Sequence, residues 1–260
     1  MKQNWVSQDS REQPNPDGEA VAPLQLPIDE RLVTRIPQQW KRAPEILRWR
    51  GPGTFLLLVV REILRPLLYW HAYRIVENDL RQPFPHPVIK ESFNGKVYTS
   101  EKGLEKVTME VSALGELTPT EVAARLQRGE AVSVAYSGAQ AVGYTWMTQR
   151  SGLPLAFDVT WIVHPREAVL YGSFVHPQWR GRGIHTCVDV TVNNYAREHG
   201  ILRTVASIPM FNSQSWSLAR RMGKPELMTV LLVRIRGIKR TWKRTSGAPF
   251  SSFFRIGDRE

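Results

Sequence analysis

The sharpest chemical feature of the chain is Gln178-Trp179-Arg180-Gly181-Arg182-Gly183. A strand candidate, Ala168–Val175, precedes it, and a helical stripe of Ile184, Cys187, Val188, Thr191, Val192, Tyr195 and Ala196 follows. The start of a helix offers unpaired backbone N–H groups and a partial positive charge. Two glycines allow a tight turn and the close approach of a phosphate. Arg180 and Arg182 add cations for phosphate oxygens. The loop is therefore suited to a pyrophosphate. It lacks the three spaced glycines of a dinucleotide fingerprint and the Gly-Lys-Ser/Thr ending of a Walker loop. Other reactive side chains fit structural roles. Cys187 falls on the apolar stripe and reads as core filling. His164, His176 and His185 have no metal-ligand spacing with carboxylates around them, so no metal site is expected.

The elements that must hold this loop can be read along the chain. Thr118-Pro119-Thr120-Glu121 is a capping box with proline at the first helical position, and Gly129 ends that helix. Ala131–Tyr136 and Ala141–Thr148 read as a hairpin about Ser137-Gly138-Ala139, and Arg74–Glu77 as an earlier strand. Phe157–Val163 and Ala168–Val175 are further strands before the loop. After the loop helix, closed by Gly200, come a strand at Arg203–Ile208 and a helix capped by Asn212 and closed by Gly223. A strand at Leu227–Ile235 and a short one at Phe250–Ile256 complete the pattern. Residues 81–100 give no clear assignment.

Val175-His176-Pro177-Gln178-Trp179-Arg180-Gly181-Arg182-Gly183-Ile184 resembles the acyl-CoA loop of the GNAT superfamily of N-acyltransferases, whose signature is [QR]-x-x-G-x-[GA]. Gln178, Gly181 and Gly183 fill the three fixed positions, and the order of elements fits over residues 105–236. Asn212, Leu218, Arg221 and Gly223 match part of a second motif. The resemblance implies an α/β (α+β) fold, with a mixed, mostly antiparallel sheet splayed between two central strands and flanked by helices. Acetyl-CoA, as acyl donor, would sit in the splay. Its pyrophosphate would rest on the amides from Gln178 to Ile184. Its pantetheine would pair with Phe174 and Val175, and Asn212 would help to position that arm. An amine would attack the thioester directly.

The sequence departs from the family at Ala219, where a tyrosine usually protonates the leaving thiolate. Losing one general acid typically costs about 10²–10⁴-fold. A base for the amine is sought on the strand before the loop. There Glu167, Tyr171 and Ser173 alternate on one face. Glu167 could accept the proton directly or through water, and Tyr171 could shape the acceptor slot. As ordinary residues they would be a solvated carboxylate and a packed aromatic.

The chain has 260 residues, 42% hydrophobic, a single cysteine and a net charge of +11. One cysteine excludes a disulfide scaffold and suits a reducing, cytoplasmic compartment. There is no apolar run long enough for a transmembrane helix, and the N-terminus does not read as a secretory signal. The charge is uneven: −4 over residues 1–30, +7 over 31–74, +2 over 75–233 and +6 over 234–260. A near-neutral centre without paired aromatics on basic strands argues against nucleic acid as a partner. The divisions expected are a disordered acidic tail (1–30), a basic amphipathic helical extension (31–80), a GNAT-like domain (81–240) and a basic tail (241–260).

Two readings fit the apolar stretch Thr54–Tyr73. It lies on an anionic membrane surface as a peripheral anchor, or it packs on the domain or on a second subunit as a homodimer contact. The function expected is N-acyl transfer from acyl-CoA to an amine small molecule or a sugar- or lipid-linked acceptor. The alternative is a non-catalytic CoA-binding or membrane-adaptor protein, which Ala219 favours.

Overall fold

The computed structural model describes residues 67–82, 93–100, 104–235 and 241–257, together with Pro52, Gly53, Leu56, Val59, Val60 and Leu64. The expectations for the tail 1–30 and for residues 31–50 lie outside the described residues.

Strands β1 (Leu68–Asp79) and β2 (Asn94–Tyr98) precede helices α1 (Leu104–Ala113) and α2 (Pro119–Gln127). Then come β3 (Ala131–Ser137), β4 (Gln140–Thr148), β5 (Pro154–Ala156), β6 (Val159–Trp161) and β7 (Glu167–Val175). The chain continues through α3 (Ile184–Glu198), β8 (Arg203–Pro209), α4 (Ser213–Arg221), β9 (Glu226–Ile235), β10 (Thr241–Gly247) and β11 (Phe254–Ile256). Eight strands form one sheet in the order β10-β9-β1-β8-β7-β4-β3-β2, and β11-β6-β5 form a second. Every neighbouring pair in the large sheet is antiparallel except β7 with β8. The expected mixed, mostly antiparallel sheet flanked by helices is what the chain forms.

On one face, Val107, Val111, Val122 and Leu126 of α1 and α2 pack on Val132, Val134, Tyr144 and Trp146. The same face of β1, β8 and β9 is covered by Val159 and Trp161 of the small sheet and by Phe250, Phe253 and Phe254. On the other face, Ile184, Val188, Val192 and Ala196 of α3 pack on Ala135, Val142, Ala168 and Leu170. The capping box forms as read: Glu121 N donates to Thr118 Oγ1 at 3.2 Å, and Thr118 N to Glu121 Oε2 at 2.8 Å.

Both outer boundaries of the expected domain move outward. The segment 31–80, read as a helical extension, holds β1 from Leu68 onward, a strand lying between β9 and β8 in the large sheet. Its Ala72, Ile75 and Val76 are buried, which a peripheral extension would not allow. The segment 241–260, read as a basic tail, supplies the edge strand β10 and three buried phenylalanines. Lys243 and Arg244 do not oppose a strand there, because charged side chains are common on sheet edges. Phe157–Val163, read as one strand, holds only the short β6; Phe157, at φ 56°, lies in the turn between β5 and β6, and Phe250–Ile256 begins with a 3₁₀ turn. Helix α1 and strand β2 were not anticipated. In β2, a Cβ on Gly95 would lie 2.0 Å from Thr191 Oγ1, so glycine lets α3 approach.

Candidate functional site

The large sheet opens in its middle. β7 pairs with β8 only from Glu167↔Arg203 to Leu170↔Ala206. β7 then runs on to Val175 beside β4, and β8 runs on to Pro209 beside β1. A wedge is left between Tyr171–Val175 and Ser207–Pro209. Gly172 and Ser173 are exposed and Phe174 and Val175 half-exposed, although their strand is central.

A bulge shapes the β7 wall. Gly172 and Ser173 together oppose Thr145, and Gly172 has φ 58°. The extra residue shifts the alternation, so Phe174 joins Tyr171 on the α1–α2 face while Val175 packs beside Ile184. Ser173, expected on the face of Tyr171, leaves that row, and its hydroxyl shares a 2.6 Å hydrogen bond with Thr145.

The loop of Gln178–Gly183 stands at the end of that wall. A 3₁₀ turn over Pro177–Trp179 leads into Gly181 at φ 82° and Gly183 at φ 94°, and Gly183 caps α3. A side chain at either position would strain the backbone. The i→i−4 bond from Cys187 N to Gly183 O, 3.0 Å, opens the ladder of α3, so the amides of Ile184, His185 and Thr186 precede it. The arginines do more than face solvent. Arg180 Nε donates to Val175 O at 3.2 Å and ties the loop to its strand, while Arg182 lies 5.0 Å over the Trp179 ring. A Cβ on Gly143, opposite Val175 in β4, would lie 2.8 Å from both Ile184 Cγ2 and Phe174 O. That glycine admits the first turn of α3 to the sheet, and the sequence alone did not single it out.

No protein-family model matches the chain. No curated protein matches it either. Among solved structures it is similar to a GCN5-related N-acetyltransferase from Sphaerobacter thermophilus, at 15% identity and TM-score 0.47, covering 68% of this chain and 56% of that one. A GCN5-related N-acetyltransferase from Kribbella flavida is similar at 9% identity and TM-score 0.47, over 74% and 65% of the two chains. The aminoglycoside N-acetyltransferase AAC(6')-Iy in complex with CoA is similar at 16% identity and TM-score 0.40, over 52% and 89%. The parted sheet and its glycine loop form the arrangement that the sequence resemblance implies. The fold is GNAT-like.

The remaining candidates take these places. Asn212 follows β8, and its Oδ1 accepts from Ser215 N at 3.2 Å, capping α4. Ala219, where the family's acid would stand, is 3% exposed and packs with Val76 and Ile208.

Glu167 is placed away from the wedge. It begins β7 and is ion-paired with Arg203, which also reaches Glu77 at 3.4 Å. The wedge begins at Tyr171, four residues further along the strand, about 13 Å at 3.3 Å per residue. The reading of Glu167 as the base is therefore corrected: alternation placed it on the right strand but at the closed end.

Tyr171 does sit where the wedge begins. Its hydroxyl donates to Glu130, and burial, reinforced by that hydrogen bond, pushes its pKa up. A phenol so held keeps its proton at neutral pH, which suits a wall and not a base. Arg125 lies 5.3 Å over the Tyr171 ring and 5.1 Å over that of Trp146. Arg125 Nη1 and Trp146 Nε1 are buried without hydrogen-bond partners. Neither Arg125 nor Glu130 carried a signal in the sequence.

Behind the loop, Lys224 Nζ meets Asp189 Oδ2 at 2.7 Å, with both side chains buried. His185, beside them on α3, has its pKa lowered by burial. Burial raises that of Cys187, which fills the core as expected. Among the described residues no cluster of His, Cys, Asp and Glu could hold a metal.

Proposed function

We propose that the chain moves an acetyl or other short acyl group from acyl-CoA to an amine. The observation that carries this reading is the wedge between β7 and β8 that ends at the glycine loop opening α3. The pyrophosphate of CoA would lie on the amides of that loop, and the pantetheine would run along the β7 wall at Phe174 and Val175. Asn212 caps α4 at the end of β8, which fits a role near the same arm.

The amine nitrogen would attack the thioester carbonyl, forming the C–N bond as the C–S bond breaks. The sulfur leaves as thiolate, and the proton lost by the amine can pass to it through solvent. A free thiol ionises near 8.5, so a thiolate is a tolerable leaving group without an acid. The exposed, bulged wall at Gly172 and Ser173 leaves room for water.

A second reading is favoured by one observation. Ala219 is enclosed by apolar side chains, so nothing at that position could serve as the acid. On this reading the chain binds CoA without transfer. Incubation with acetyl-CoA and a panel of amines, following thiol release, separates the two. Acceptor-dependent release absent from a Gly183→Trp variant supports transfer. Binding of acetyl-CoA without release from any amine supports the second reading.

A further inference from the structure

The helical residues Leu56, Val60 and Leu64 are spaced by four and so share a helix face. They are 63%, 41% and 38% exposed. A turn closed by Leu67 N to Leu64 O, 2.9 Å, brings in Leu67, 67% exposed, directly before β1. Ile235 is exposed as well, and it pairs with Leu68 across β1 and β9. The apolar stripe thus continues to the end of the sheet. Folded domains rarely leave a continuous apolar stripe to water without a partner.

The fold also joins what the sequence keeps apart. The two basic flanks carry +7 over residues 31–74 and +6 over 234–260. Leu68 pairs with Ile235, and Arg234 pairs with Thr241, so the chain enters β1, leaves β9 and starts β10 at one end of the sheet, where the sequence carries Arg234, Arg236, Lys239, Arg240, Lys243 and Arg244. The wedge opens toward the same end. Tyr73 pairs with Pro209, the last residue of β8, and β1 extends from there back to Leu68. Apolar side chains next to concentrated positive charge complement a surface that is apolar below and anionic above. A second copy would bring the same positive charge against itself.

We propose that this end of the sheet docks on an anionic lipid bilayer, with Leu56, Val60, Leu64 and Leu67 at the headgroup boundary and the basic stretch from Arg234 to Arg244 supplying charge for the headgroups. The wedge then opens toward the lipid surface. The docking stands apart from the acyl-transfer reading and is tested without acyl-CoA.

Deleting the basic segment up to residue 74 would remove half of β1, so the test uses substitutions at exposed positions. Full-length wild type and a Leu56→Glu/Leu64→Glu variant are sedimented with phosphatidylcholine vesicles, with and without phosphatidylglycerol. Both are checked for melting temperature and, by light scattering, for mass. The wild type should sediment with the anionic vesicles and not the neutral ones, and lose binding at high salt. The variant should melt as the wild type does and partition at least about tenfold less. Wild type that ignores anionic vesicles, or a folded variant that binds them equally well, overturns the proposal. So does a wild-type dimer that binds no vesicles and that the substitutions dissolve, which would assign the stripe to a second copy.

Discussion

Glu167 and Arg203 face each other across β7 and β8 at the first pair of their parallel ladder, joined by an ion pair at the end where the sheet stays closed. This removes Glu167 from the chemistry and makes it a clasp. Glu167→Gln should leave any acyl-transfer rate within about twofold and its pH profile unmoved, while stability falls by about 1 kcal/mol, the upper range for a surface pair, because the Glu167 side chain is only 13% exposed. Initial rates against pH, with a thermal melt, check both parts.

Gly143 has no room for a methyl group between Ile184 and Phe174. Gly143→Ala should cost about 1–3 kcal/mol through overpacking. It should also weaken acetyl-CoA binding, because relief requires α3 to move away from the wedge. Melting temperature and calorimetric affinity should fall together.

Lys224 and Asp189 form a buried ion pair behind the loop, 7% and 5% exposed at the side chain. Lys224→Met leaves the Asp189 charge uncompensated and should cost about 3–5 kcal/mol. Adding Asp189→Leu should recover most of that loss. Urea melts of the two variants beside wild type measure the recovery directly.

Tyr144 is buried against Trp146 and α2, and burial pushes its pKa up to about 12. Its folded pKa is above the unfolded value of 10.0. The unfolded chain therefore ionises first as pH rises through that interval, and stability drops. Below the unfolded value the contribution is fully present. Tyr144→Phe should flatten the fall in melting temperature across the same alkaline interval.

What could be read from the sequence was encoded locally. The glycines at 181 and 183, the Thr118–Glu121 capping box and the Asn212 cap each act within a few residues, and all appear as read. What escaped depends on distant partners. Gly143 matters only because Ile184 and Phe174 converge on it, and Glu130 only because Tyr171 reaches it. The bulge at Gly172 undid a simple alternation that had placed Ser173 beside Tyr171. β1 was folded into an apolar stretch that looked helical, since nothing local says that β8 and β9 lie on either side of it. The charges of β10 hid an edge strand.

On the proposed function, the loop from Gln178 to Ile184 holds the pyrophosphate of acyl-CoA. Acetyl-CoA titrated by calorimetry into wild type and into a Gly183→Trp variant tests it most directly. Wild type should show one site of micromolar affinity, and the variant no detectable heat while still melting cooperatively. A folded wild type that binds no acetyl-CoA, or a variant that binds it as tightly, would rule out this loop as the pyrophosphate site.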